Sequence, residues 1–166
     1  TGQQASTIGL STVGSLLDSA DSNYLNGSKV TTTSGGSIVS MSVYVGNIDS
    51  ASSNRSFQLA IYTNSGTTPG TLVANSATGT LVANSWNTLP ISAALQPNTS
   101  YWLMYNTNGR TDTVNNMYYN NRSNGQGVYS NNSVNFGGWP ASFPAATLTT
   151  AIYSLYATFW PLNKAL

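Results

Sequence analysis

The feature that most constrains this chain is an alternation of apolar and polar side chains with a period of two, the signature of extended backbone rather than helix. In residues 37–45, Val39, Met41, Val43 and Val45 fall on one face, and Ser40, Ser42 and Tyr44 on the other. Phe57, Leu59 and Ile61 alternate in the same way with Gln58 and Tyr62. Tyr101, Leu103 and Tyr105 interleave with Trp102 and Met104, while residues 152–159 are apolar on both faces and are expected to form one central strand. Shorter strands are expected at 7–10, 28–33, 71–74, 80–83, 87–91, 117–120 and 134–136. Clusters of Gly, Pro, Asn and Ser separate them. Only residues 13–20 offer a helical turn.

Short strands without intervening helices pack as antiparallel sheets face to face. The expected fold is therefore all-β, an antiparallel β-sandwich of jelly-roll type, with residues 1–166 forming a single domain. No internal repeat points to a solenoid or propeller.

Composition bears on where such a sandwich works. Charged residues make up 5% of the chain, against roughly 25% in an average soluble protein. In their place stand 20 Asn, 24 Ser and 21 Thr, so amides and hydroxyls supply the polar surface. This is the surface of an extracellular protein, secreted or displayed on a cell. A formal net charge of +1 leaves no basic patch for nucleic acid or anionic lipid. No apolar run is long enough for membrane insertion. Cysteine is absent, which excludes disulfides and thiolate metal sites. The chain begins at Thr1 without a signal-like segment, as expected of a processed form or an excised module. Asn26, Asn54, Asn98, Asn121 and Asn131 each open an Asn-x-Ser triplet that a glycosylating host would recognise.

One family resemblance is visible. Tyr62, Pro69 and Gly70 within 61–74, then Trp86, Asn87 and Leu89, then Leu95, Pro97, Asn98, Tyr101 and Trp102, resemble a group of bacterial secreted jelly-roll domains of the carbohydrate-binding-module type. The resemblance is best over 30–102 and implies a scaffold more than a ligand. Pro69-Gly70 suits the centre of a type II turn that would reverse the chain after Tyr62.

The missing side chains narrow the chemistry. There is no His and no Glu, and the only acids are Asp18, Asp21, Asp49 and Asp112. No imidazole is present to activate a nucleophile, and zinc sites built from His and Cys are excluded. A two-carboxylate glycosidase would need paired Asp residues. Asp18 and Asp21 are near in sequence, but their Ser- and Asn-rich turn is expected to leave both solvated and ionised. The chain is thus expected not to be an enzyme. Asp18, Asp21, Asn23 and Asn26 offer oxygen ligands for a structural calcium, with the alternative that all four are turn residues bonding their own backbone. Arg55 and Arg110 are expected to be solvated loop charges.

Sugar recognition calls for aromatic faces with neighbouring amides and a guanidinium. Residues 112–143 supply Tyr118, Tyr119, Tyr129 and Trp139 with Arg122, Asn120 and Asn121, and these are the candidate ligand-binding residues. Adjacent Tyr118 and Tyr119 must point to opposite faces of a strand, so one of them has a packing role. Trp139, between Gly138 and Pro140, has the alternative of plugging the sandwich. The expected function is a noncatalytic, lectin-like module whose partner is a polysaccharide or glycan. The alternative is a structural subunit of an extracellular fibre, pilus or surface layer, self-assembling by strand addition or edge pairing. The scarcity of Lys that normally blunts sheet edges keeps that alternative open.

Overall fold

The alternation becomes a sandwich because one strand is apolar on both faces. A computed structural model of the chain describes residues 4–162. Its strands are β1 (Ser6–Gly9), β2 (Leu16–Leu17), β3 (Asn26–Thr31), β4 (Gly36–Val45), β5 (Ser56–Ser65), β6 (Thr68–Asn75), β7 (Gly79–Thr80), β8 (Ser85–Leu95), β9 (Ser100–Thr107), β10 (Tyr118–Asn121), β11 (Gly127–Ser130), β12 (Ala146–Thr149), β13 (Ala151–Tyr153) and β14 (Leu155–Pro161). They form a four-stranded sheet in the order β1-β14-β4-β8 and a seven-stranded sheet in the order β12-β11-β3-β9-β5-β6 with β7 paired to β5. A small sheet, β13-β10-β2, completes the set. Every named strand pair is antiparallel. The fold is an all-β antiparallel sandwich. Among the described residues no helix is long and apolar enough to cross a membrane.

Tyr101, Leu103 and Tyr105 of β9, with Phe57, Leu59 and Ile61 of β5, face the four-stranded sheet. There they meet Ile38, Met41, Val43, Leu155, Ala157 and Phe159 in the main core. Trp102 and Met104 point the other way, with Ala60 and Tyr62, into a second cluster that includes Leu25 and Val128. That second face is covered by the segment 131–145, which lays Val134, Trp139 and Phe143 over it. The backbone anchors of this cover are Phe143 N–H to Gly70 O at 2.8 Å and Leu72 N–H to Ala141 O at 2.9 Å.

Several expectations change once pairing is visible. Val39 is not on the inner face. A register shift between Ile38 and Ser40 turns Ile38 inward and leaves Val39 43% exposed. Such a bulge moves every earlier side chain to the opposite face, so simple alternation fails beyond it. Residues 152–159 are two strands rather than one, broken at Ser154. Its N–H donates to Tyr118 O in one sheet, while its C=O accepts Tyr44 N–H from another. Pro69-Gly70 lies inside β6, and the reversal occurs at Gly66-Thr67, between paired Ser65 and Thr68. Gly66 has φ +65°, the positive value that a two-residue hairpin demands at its first central position. Residues 13–20 contain β2 and no helix, 134–136 is a loop, and β11 and β12 went unforeseen. The loop cations are fasteners. Arg110 pairs with Asp49 at 2.6 Å, and Arg55 donates from Nη2 to Ser50 O at 3.0 Å.

The bulge separates two neighbouring substitutions. Ile38→Thr is expected to destabilise by about 2–4 kcal/mol, through lost apolar contacts plus a buried hydroxyl, whereas Val39→Thr stays within about 0.5 kcal/mol. Urea midpoints of the two variants check this, and a larger loss for Val39→Thr would contradict the register.

Candidate functional site

Where the small sheet meets the β12-β11-β3 side of the seven-stranded sheet, the surface opens into a cleft of about 480 Å³, a size typical of small-molecule sites. Period two decides which side chains reach it. On β10, Tyr119 and Asn121 share one face and line the cleft, as do Tyr129 and Asn131 at the end of β11, and Ala151 and Tyr153 on β13. Tyr24 and Asn26 enter from β3 and its approach, Asp18 and Ala20 from the β2–β3 connection, and Asp112 from the β9–β10 connection. Tyr119 and Tyr153 are paired across strands, with ring centroids 5.9 Å apart. Among the described residues, no protein hydrogen bond engages the hydroxyls of Tyr24, Tyr119 or Tyr129.

The other candidates lie elsewhere. Tyr118 and Asn120 take the opposite face of β10. Tyr118 meets Tyr44 edge-on at 5.6 Å, and Asn120 Oδ1 accepts the Ser15 N–H at 3.0 Å. Arg122 is exposed just past the strand, where its backbone N–H donates to Thr150 O. Trp139 is half-buried on the outer face of the seven-stranded sheet. Its indole N–H donates to Gln58 Oε1 at 2.8 Å, and its ring lies 6.3 Å from that of Tyr62. Tyr62 in turn donates to Pro140 O at 2.6 Å. Trp139 therefore serves the covering segment and does not share the cleft.

Beneath the cleft lies an acidic pair whose state the sequence did not disclose. Asp21 is wholly buried rather than solvated. Its Oδ2 accepts the Met117 N–H at 2.8 Å, its backbone N–H donates to Asn116 Oδ1 at 3.0 Å, and its C=O accepts from Asn26 Nδ2 at 3.1 Å. Among the described residues Oδ1 finds no conventional donor. Burial, followed by the charge and the hydrogen-bonding carboxyl of Asp18, holds the Asp21 carboxyl well above the usual carboxylate range. A proton retained on Asp21 and donated to Asp18 accounts for the oxygen that otherwise lacks a partner. Tyr153 is likewise pushed up by burial and then by the charges of Asp21 and Asp18. Asp49 behaves oppositely. The hydrogen-bonding Arg110 guanidinium, and then the Ala51 N–H, hold its carboxyl well below the usual range.

This arrangement does not support the calcium reading. Among the described residues no group of three or more His, Cys, Asp or Glu side chains is gathered for a metal. Asn23, at φ +61°, turns its amide towards Gly109 O at 3.5 Å, and Asn26 bonds backbone carbonyls. Both amides are engaged with backbone carbonyls, Asn23 across to Gly109 and Asn26 within the turn that precedes β3.

No protein-family profile matches the chain, and no curated protein matches it. Among solved structures it is similar to a chain in the structure of infectious bursal disease virus Gx strain, at 15% identity and a TM-score of 0.40 over 99% of this chain. The match takes in 43% of that chain, so this protein spans less than half its length.

The buried acid leaves a mark on stability. Between the ordinary Asp pKa near 4 and its raised folded value, the folded state keeps a proton that the unfolded state has released, so Asp21 makes stability fall as pH rises through that window. Asp21→Asn keeps an oxygen for Met117 and donates to Asp18, and is expected to flatten this fall. Thermal midpoints of both proteins from pH 4 to pH 8 test it; an unchanged slope would place the proton elsewhere.

Proposed function

We propose that the chain is a noncatalytic carbohydrate-binding module of a secreted or surface protein, with the tyrosine-lined cleft as its binding site. The observation that carries this reading is the convergence of Tyr24, Tyr119, Tyr129 and Tyr153 with Asn121 and Asn131 in one cleft. Ring faces stack on the C–H surfaces of a sugar, while amides and free phenols exchange hydrogen bonds with its hydroxyls. Tyr129 is 39% exposed, so part of its ring is open to a ligand. The sequence supports binding without turnover, because it holds no imidazole.

A second reading, a structural subunit assembling through sheet edges, draws on β8. This eleven-residue strand lies at the outer edge of the four-stranded sheet, and its sequence contains no charged residue. Edges of that kind lack the usual guard against pairing with another chain.

Two measurements separate these readings. Affinity electrophoresis through gels containing a broad set of polysaccharides is expected to retard the protein on at least one, with Tyr129→Ala abolishing the retardation and leaving near-ultraviolet circular dichroism unchanged. Absence of retardation on every polysaccharide, with no binding at millimolar oligosaccharide, would end the carbohydrate reading. Light scattering at high protein concentration is expected to give a monomer if the cleft is the working site; concentration-dependent polymers, suppressed by a Lys placed at Ser92, would favour assembly through β8.

A further inference from the structure

Resting on the sugar-binding reading, the charges of the cleft narrow the class of sugar. Asp18 and Asp112 both line it, whereas among the described residues no Lys or Arg does. Asp18 is half-buried, and its charge helps hold the buried Asp21 carboxyl and the buried Tyr153 hydroxyl above their usual ranges. Asp21 is wholly buried, with an Oδ1 that has no hydrogen-bond partner among the described residues. The walls are tyrosine rings, whose faces carry the negative part of the aromatic quadrupole and attract cations. A neutral sugar covering Asp18 would strip water from a carboxylate and return only hydroxyl hydrogen bonds. A protonated amine returns three N–H donors and a countercharge, and its flanks meet the ring faces. We infer that the cleft selects a sugar bearing a protonated amine, a 2-amino sugar unit, with Asp18 receiving the ammonium and the tyrosine rings flanking it. Asp112, being exposed, contributes attraction that salt screens.

Titration calorimetry of the full chain at low salt tests this with a short chitosan oligomer, its N-acetylated counterpart, a cellulose oligomer of equal length, a lysine oligopeptide and calcium chloride. The chitosan oligomer is expected to bind about tenfold more tightly than either uncharged sugar, the ratio that one charge-assisted hydrogen bond supplies. Asp18→Asn is expected to remove that margin, and Asp112→Asn to remove a smaller part, with circular dichroism unchanged in both. Equal affinity for the charged and uncharged sugars overturns the inference and leaves the carbohydrate reading standing. Binding of no sugar at all overturns both. A lysine peptide that matches chitosan, or calcium heat abolished by Asp18→Asn, assigns the carboxylates to another ligand and overturns it as well.

Discussion

The structure depends on β9 being buried on both faces. Its neighbours β3 and β5 carry the seven-stranded sheet, and its side chains divide between two apolar clusters on opposite faces of that sheet. A sheet with one apolar face needs one partner layer, and a sheet with two needs two. The four-stranded sheet is the first layer. The second is not a sheet but the segment 131–145, so a stretch rich in Gly, Pro and Asn does work usually given to secondary structure. Trp102 shows how far this goes: the indole is fully buried under that cover, and its N–H is satisfied by Asn64 Oδ1 at 3.0 Å.

Amides replace charges inside as well as outside. Asn26, Asn87, Asn106, Asn115 and Asn116 are buried, and each hydrogen-bonds backbone groups that irregular segments leave unpaired. Asn115 alone accepts from Asp49 N–H and donates to Asn54 O and Thr107 Oγ1. A neutral amide both donates and accepts, and burying it costs far less than burying an ion. That explains how a chain with so few charged residues holds long loops, and why the one ion pair among the described residues, Arg110 with Asp49, serves to tie a loop.

Much of this was legible in sequence, for a physical reason. Where β5 and β9 run without interruption, alternation assigns each residue to its cluster, and Phe57, Leu59, Ile61, Tyr101, Leu103 and Tyr105 all face the main core. Alternation has no means of registering an inserted residue, and so Val39 was misplaced. It cannot register a backbone that changes sheets at Ser154 either. The glycine that turns the β5–β6 hairpin is Gly66, because only pairing reveals which of several Gly positions carries the positive φ. At the site, the same rule sorted Tyr119 and Asn121 from Tyr118 and Asn120 without naming the face that would open into a cleft. Asp21 was beyond reach. Its burial arises from segments some 95 residues away, through Asn116 and Met117, and no local pattern encodes that meeting.

The covering segment and the cleft wall are one stretch of chain. Tyr129 and Asn131 stand where the cover leaves β11, and Thr149 and Thr150 stand just after it returns through β12. Whatever loosens the grip of Trp139 and Phe143 on Tyr62 therefore also slackens one side of the cleft, from the opposite surface of the sheet. Hydrophobic repacking beneath the cover is expected to shift the position of that wall while every side chain lining the cleft stays the same.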